Sequence, residues 1–210
     1  MRRRGPPGRH AIAGGHDGLA AEGEDFPENP FVINGDDDFA TSPLVELTID
    51  LCATLLLTCG AETDEATARR KLRDTLTSGA AADRFGRMVA ALGGPAYFVE
   101  RWRDHLPQAP VIMDVPAGTS GYVAAIDGRA MGMAVVRMGG GRLKGGDPID
   151  PAVGLTHVAC LGAKVAKGDP LFRLHARDAA SAEAARAAIL AAITIGEAPA
   201  PRPLVHERIA

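Results

Sequence analysis

The apolar pattern of this 210-residue chain changes its period near residue 107, and this change limits the possible folds more than any other feature. From residue 42 to residue 106, apolar residues recur every three to four positions, which is the spacing of amphipathic helices. From Val111 onward, short apolar runs of β type alternate with glycine and proline. The order predicts the α+β class, with an N-terminal helical block followed by a C-terminal mixed β-sheet domain with packed helices.

Residues 42–106 are predicted to form the helical block. Ser42 offers an N-cap side chain and Pro43 a first-turn residue, so a helix begins here and runs to Gly60. Its predicted buried stripe consists of Leu44, Leu47, Leu51 and Leu55. Three more helices are predicted: one capped by Asp64 and ended by Gly79, one through Phe85, Met88, Val89 and Leu92 to Gly93, and a short one over Tyr97–Leu106.

Residues 107–210 are predicted to form the C-terminal α+β domain, after a boundary at the linker Pro107–Pro110. Its helices are predicted over Arg129–Met138 and from a cap at Ser181 to about Ile195. The predicted strands are Val111–Val115, Tyr122–Ile126, Val153–Val158, Leu171–Leu174 and a terminal strand, Leu204–Ile209, that closes the sheet.

Residues 1–41 have no apolar period and are predicted to be a disordered tail, because they cannot bury enough surface to offset chain entropy. The acidic run Asp36–Asp38 lacks the alternating ligands and closing glutamate of a calcium loop, so it is interpreted as solvated.

Composition excludes several classes of function. The net charge of −3 does not favour nucleic acid as a partner, and no apolar run is long enough to span a membrane. The three cysteines, Cys52, Cys59 and Cys160, match neither a disulfide framework nor a zinc site, and those in the first helix are predicted to be buried structural thiols. The chain is therefore predicted to be cytoplasmic.

The run Gly139–Gly146 is the most site-like segment, because glycine N–H groups beside Arg142 and Lys144 are able to bind an anion. It lacks the Walker pattern, so a structural turn is favoured over a phosphate site.

Asp150 before Pro151 is interpreted as a turn initiator. The single histidines His105, His157, His175 and His206 predict no metal site, and Met131, Met133 and Met138 are predicted to fill the core.

Four segments resemble the nucleoside phosphorylases that include thymidine phosphorylase and pyrimidine-nucleoside phosphorylase. They are F-G-R-M-V-A-A-L-G-G-P at Phe85–Pro95, the stretch Gly121–Arg142, D-P-I-D-P-A-V-G-L at Asp147–Leu155 and G-A-K-V-A-K-G-D-P-L at Gly162–Leu171. The resemblance runs from about Ser42 to Ala210. It implies the phosphorolysis of thymidine to thymine and 2-deoxyribose 1-phosphate, with phosphate and a pyrimidine nucleoside as substrates, no cofactor, and a possible homo-oligomer.

The family's phosphate- and base-binding groups lie on Lys-His-Ser-Thr-Gly-Gly and Ser-Gly-Arg-Gly segments, N-terminal to the part that this chain resembles. Neither motif occurs here, so no catalytic, substrate-binding or metal residue is assigned, and the chain is expected to be truncated and inactive unless a missing N-terminal half completes it. The alternative is a carrier or interaction module, because Gly121–Ile126 and Gly162–Leu171 also resemble the half-motifs of biotinyl and lipoyl domains. Lys144 would then be the modified residue.

Overall fold

A computed structural model describes residues 9–13, 43–201, 203–207 and 209. These residues divide into two compact units. One unit contains residues 9–13 and 106–200, and the other contains residues 43–105 with the described residues from Pro201 onward. The division falls between His105 and Leu106, directly before the segment Pro107–Pro110.

The helical unit contains four helices: α1 at Pro43–Thr58, α2 at Glu65–Thr77, α3 at Ala80–Ala91 and a single turn, α4, at Trp102–His105. Asp64 caps α2 as predicted, because its side chain accepts a hydrogen bond from the Thr67 N–H at 2.7 Å. Gly79 has a positive φ of 81°, which lets the chain pass directly from α2 into α3. The fourth helix is shorter than the predicted Tyr97–Leu106.

The predicted buried stripe of α1 is wrong. Leu44, Leu51 and Leu55 are 56, 64 and 65% exposed, whereas Val45 and Ile49 are buried and pack with the partly buried Leu72 and Leu76 of α2. Both sets of residues have helical spacing, so the period alone does not distinguish them.

Ion pairs explain which face of α1 turns inward. Arg69 of α2 pairs with both Glu46 and Asp50 of α1, and Arg73 pairs with Glu46. The two acidic residues adjoin Val45 and Ile49 on the helix, so the face that meets α2 is apolar along its centre and acidic along its edge.

Two antiparallel sheets form the other unit. The larger has the strand order β1, β4, β6, β2, and the smaller has the order β5, β3, β7. Their bounds are β1 Arg9–Ala13, β2 Val111–Pro116, β3 Gly121–Ile126, β4 Gly154–Ala159, β5 Lys164–Val165, β6 Pro170–Ala176 and β7 Ile193–Gly196. The α+β class is confirmed, but every described ladder is antiparallel, so the sheets are not mixed.

Two helices cover this unit's core: α5 at Gly128–Val135, which continues as a π-helical turn at Val136–Gly140, and α6 at Ala179–Ala191. The predicted helix over Arg129–Met138 is thus present. The core is built from small and medium aliphatic side chains around Phe172, including Val115, Val123, Met131, Leu174 and Ile189.

The end of the chain differs from the prediction in three ways. Asp178, not Ser181, caps α6, because its carboxylate accepts the Ser181 N–H at 2.7 Å. The helix ends at Ala191, and the alternating β-branched run Ile193–Gly196 pairs with β3 as an edge strand. The described residues of Leu204–Ile209 contain no strand, so β7 takes the place predicted for the terminal strand.

The predicted disordered tail also needs correction at five residues. Arg9–Ala13 form β1, which pairs with β4 at the edge of the larger sheet. An unpaired strand edge offers N–H and C=O groups to any extended segment, so a short run without strong apolar pattern is able to pair there. The rest of residues 1–41, including Asp36–Asp38, and the predicted cap Ser42 lie outside the described residues.

Candidate functional site

The glycine-rich loop Gly139–Gly146 is held by the carboxylate of Asp147, the residue that directly follows it. Oδ2 of Asp147 accepts hydrogen bonds from the backbone N–H groups of Leu143 at 3.2 Å and Lys144 at 3.0 Å. The Nε–H of Arg142 donates to the carbonyl oxygen of Asp147 at 3.2 Å. The N–H groups of Leu143 and Lys144 are therefore already satisfied within the chain, which supports the interpretation of this loop as a structural turn.

An open depression of about 550 Å³ lies beside this loop. Arg137 and Arg177 supply positive charge to its lining, and Asp147 and Asp150 supply negative charge. Arg177 donates to the carbonyl oxygen of Met138 at 2.8 Å. Asp150 accepts the Ala152 N–H at 3.0 Å, which is the turn-initiating bond expected of it. Because its charges balance and several already have intrachain partners, the depression does not have the character of an anion pocket.

Gly139 is required by this geometry. Its φ is 106°, and a Cβ added to it would lie 2.9 Å from the Arg177 guanidinium. A side chain here would therefore strain the backbone and displace the arginine that holds the end of the π-helical turn.

Replacing Asp147 by alanine is expected to leave the Leu143 and Lys144 N–H groups without their acceptor. We expect a loss of about 1 kcal/mol of local stability, close to the cost of removing a helix cap, and several-fold faster amide exchange at both positions. Hydrogen exchange measured by NMR checks this, with Lys144→Ala as the control because that side chain is exposed. Unchanged exchange in Asp147→Ala would show that the carboxylate does not hold the loop.

Two histidines that appear isolated in the sequence meet at one threonine in the larger sheet. Oγ1 of Thr156 lies 2.8 Å from Nε2 of His175 and 3.1 Å from Nδ1 of His157. The hydroxyl carries a single proton, so it donates to at most one of the two ring nitrogens, and a bond to the other ring must be donated by that ring's N–H. Thr156 and His175 are buried, and His157 is half-buried.

His157 occupies a β-bulge. Its φ is 53°, the only positive value of a non-glycine residue in the described chain. The register between β1 and β4 shifts at this point, because Leu155 pairs with Ile12 and Val158 pairs with His10. A bulge re-aims a side chain out of the regular alternation, and here it brings the His157 ring to its neighbour Thr156.

Burial is the main reason that the pKa of His175 falls to about 4, and the nearby positive charge of Arg173 and the His157 ring lower it further. Asp114 opposes this shift, but it is paired with Arg173 across β2 and β6 at 2.7 Å. At neutral pH His175 is therefore uncharged and hydrogen-bonded. Its chemistry is that of a polar link between strands β4 and β6, because a base with so low a pKa is poorly matched to proton transfer at pH 7.

The other candidate residues are separate from this cluster. His105 stacks on Phe98 within the helical unit, and His206 follows the last strand. Met131 and Met138 are buried, whereas Met133 is only partly buried.

Among the described residues, no three His, Cys, Asp or Glu side chains are grouped as metal ligands, and no helix is long and apolar enough to cross a membrane. Of the helical cysteines predicted to be buried, Cys52 is half-buried, and Cys59, which follows the last residue of α1, is exposed.

The matched domain defines the class of protein. Residues 122–196, which hold both sheets' central strands and both helices of the α+β unit, match the family described as "Pyrimidine nucleoside phosphorylase C-terminal domain". Two relatives, each named thymidine phosphorylase, come from Burkholderia cenocepacia (strain HI2424) and Burkholderia orbicola (strain AU 1054). Each is 47% identical to this chain over 166 residues, which are 79% of this chain and 38% of the relative.

The chain is a partial member of the thymidine and pyrimidine nucleoside phosphorylase family and corresponds to its C-terminal part. The resemblance predicted from the four sequence segments is confirmed. The chain spans 38% of the length of the curated relatives that it matches. The carrier alternative is not favoured, because Lys144 lies in the loop held by Asp147, between the π-helical turn and β4, and not at the tip of a hairpin.

Proposed function

We propose that this chain is the C-terminal structural part of a cytoplasmic thymidine phosphorylase in pyrimidine nucleoside metabolism. The observation that carries the proposal is the identity of 47% over 166 residues to proteins of that name. In the proposed reaction, inorganic phosphate attacks the anomeric carbon of thymidine. The carbon–nitrogen bond breaks, the base leaves with the bonding electrons and gains the proton that the attacking hydrogen phosphate loses, and thymine and 2-deoxyribose 1-phosphate form.

We further propose that the chain is inactive by itself. The reaction needs donors that hold phosphate and groups that stabilise charge on the departing base. In the Gly139–Gly146 loop the N–H groups of Leu143 and Lys144 are already bonded to Asp147, and no Lys-His-Ser-Thr-Gly-Gly or Ser-Gly-Arg-Gly segment occurs in the sequence. Phosphate and nucleoside would bind only when the N-terminal part of a phosphorylase completes the site.

The contribution of the chain's own residues would be to hold the C-terminal domain in one conformation. The Thr156 to His175 hydrogen bond links β4 to β6, the Arg173 to Asp114 ion pair links β6 to β2, and the bonds to Asp147 hold the loop that precedes β4. A rigid scaffold of this kind keeps groups carried by the rest of the protein in position.

The purified chain is expected to release no measurable thymine from thymidine and phosphate. Loss of one charge-stabilising donor typically lowers the rate by about 10²- to 10³-fold, and the whole set is missing here. Ultraviolet detection of thymine, with uridine as a second substrate, measures the activity of the chain alone. It also measures the activity of the chain mixed with an N-terminal fragment of the Burkholderia cenocepacia enzyme.

Each result separates the possibilities. Turnover only in the mixture supports a structural C-terminal part. Turnover by the chain alone that Arg142→Ala abolishes would contradict the proposal and assign a phosphate site to the glycine-rich loop. A mixture that binds but has no activity would also count against the proposed function.

A further inference from the structure

The strand β1 covers the outer edge of β4 in the larger sheet. In the strand order, β4 lies between β1 and β6, and β1 is the last strand on that side. The ladder between β4 and β6 covers Gly154–Thr156. Within the described residues, Val158 and Ala159 of β4 take part in a ladder with β1 alone. Without β1, the whole length of β4 would therefore be an edge strand.

The sequence of β4 is poorly suited to an open edge. Its six residues, G-L-T-H-V-A, include no proline and none of Asp, Glu, Lys and Arg. Leu155, Val158 and Ala159 belong to the buried core of the unit. An uncharged apolar strand with free backbone N–H and C=O groups is a template for pairing with another chain. The positive φ of His157 interrupts the pleat at one position and leaves ladder groups on both sides of it.

The strand β1 has the opposite character and is suited to end a sheet. It is only five residues long, and it begins with the charged Arg9. Pro6-Pro7-Gly8 precedes it in the sequence, and Gly14-Gly15 follows it. Proline has no N–H to donate and glycine weakens a strand, so neither flank favours a longer ladder. Short length and charge are two means by which native sheets avoid pairing at an edge.

We propose that β1 prevents this chain from dimerising through β4. When β1 is absent, the β4 strands of two copies pair antiparallel and join their larger sheets into one. A second copy is the fitting partner, because each β4 edge offers an uncharged ladder to the other. Two identical strands pair antiparallel about a two-fold axis, so this contact closes as a dimer. The strand β1 lies outside the matched domain, residues 122–196, and its proposed role is independent of phosphorolysis.

Two proline substitutions in β1 test the proposal in the full chain. Successive residues of a strand direct their N–H groups to opposite sides, so Ala11→Pro with Ile12→Pro removes an N–H that faces β4. Gly14→Pro with Gly15→Pro is the matched control, because it adds the same two prolines directly after β1. We expect the dimer association constant to rise at least about tenfold in the first variant, roughly the net worth of one or two backbone hydrogen bonds. The control should associate as wild type does.

Sedimentation velocity over a range of protein concentrations measures this constant, and a synthetic peptide identifies the surface that pairs. The peptide P-P-G-R-H-A-I-A-G-G has the sequence of residues 6–15. It should return the Ala11→Pro, Ile12→Pro variant to the monomer, because it is able to occupy the edge that β1 has left. The same peptide with prolines in place of Ala11 and Ile12 should have no effect.

Circular dichroism verifies that the variants fold, and a chain that begins at Gly14 replaces the Ala11→Pro, Ile12→Pro variant if that variant does not. Equal association of wild type and this variant would overturn the proposal. Association that the peptide does not reverse would also overturn it, because another surface would then be responsible. Loss of folding in both the proline variant and the shortened chain would show that β1 is an essential part of the sheet, and the proposal would fail.

Discussion

Ile49→Ala is expected to lower the free energy of unfolding of the helical unit by about 2 to 5 kcal/mol. Ile49 is almost completely buried, and it packs with Val45, Leu72 and Leu76 in a small cluster between α1 and α2. Removing a buried isoleucine side chain down to Cβ costs its transfer free energy and leaves a cavity. Because the cluster is small, few neighbouring side chains are available to fill the gap.

The matched variant on the opposite side of the helix gives a different expectation. Leu51→Ala removes a side chain that is 64% exposed, so its effect should be within about 0.5 kcal/mol. Urea unfolding followed by far-ultraviolet circular dichroism measures both variants, and light scattering measures whether Leu51→Ala associates less than wild type. A large loss of stability in Leu51→Ala with a small one in Ile49→Ala would reverse the orientation of α1.

The sequence predicts the positions of the helices well where a local interaction determines them. Asp64 caps α2 through a hydrogen bond to a residue three positions away, and Gly79 adopts a left-handed conformation that few other residues tolerate. Both signals are contained within a few residues of sequence. The strand beginnings near Val111 and Gly121 are marked by the same kind of local signal, the glycines and prolines that precede or follow them.

The residues of α1 alone do not determine which of its faces is buried. Leu51 and Ile49 belong to two apolar stripes that both have helical spacing. Which stripe is buried depends on Arg69 and Arg73, which follow about twenty residues later in the sequence. The same limit applies to Ile193–Gly196, which has the composition of a short strand but is recognised as one only through its pairing with β3.

The candidate site has one feature that is predictable from local sequence and others that depend on residues distant in the sequence. The interpretation of Gly139–Gly146 as a turn follows from its glycine content, but only the structure identifies Asp147 as the acceptor of the Leu143 and Lys144 N–H groups. The hydrogen bonds that join His157 and His175 through Thr156 depend on the β4 to β6 register and on a bulge, and neither leaves a sequence signal beyond the adjacent Thr156-His157 pair.

The stability of the sheet is expected to fall as the pH is lowered from about 6.5 to about 4, and His175 is the cause. A histidine in the unfolded chain has a pKa near 6.5, whereas burial and the positive charge of Arg173 hold the pKa of His175 at about 4 in the folded protein. The unfolded state therefore binds more protons than the folded state between these two pH values. The stability is complete above about pH 6.5, and it decreases as the pH falls through the window.

The difference between the unfolded and folded pKa values of His175 corresponds to a loss of at most about 3 kcal/mol in the free energy of unfolding at the lower end of this pH window. One pKa unit is worth about 1.4 kcal/mol. Three charged or titratable groups near His175 influence this value: Arg173 and His157, which lower its pKa, and Asp114, which raises it. The capping carboxylates Asp64 and Asp178 also have lowered pKa values, but hydrogen bonds to Thr67 and Ser181 cause those shifts, and their contribution is lost at still lower pH.

His175→Gln isolates the effect, because glutamine keeps an amide that is able to bond Oγ1 of Thr156 and does not titrate. The free energy of unfolding, measured with urea at several pH values from 4 to 7, should fall steeply in wild type and much less in the variant. His206→Gln is the matched control, because His206 is exposed and its removal should leave the wild-type slope in place. Equal slopes in wild type and His175→Gln would mean that His175 is protonated in the folded protein, and the sheet would then have to supply a partner for a buried positive charge.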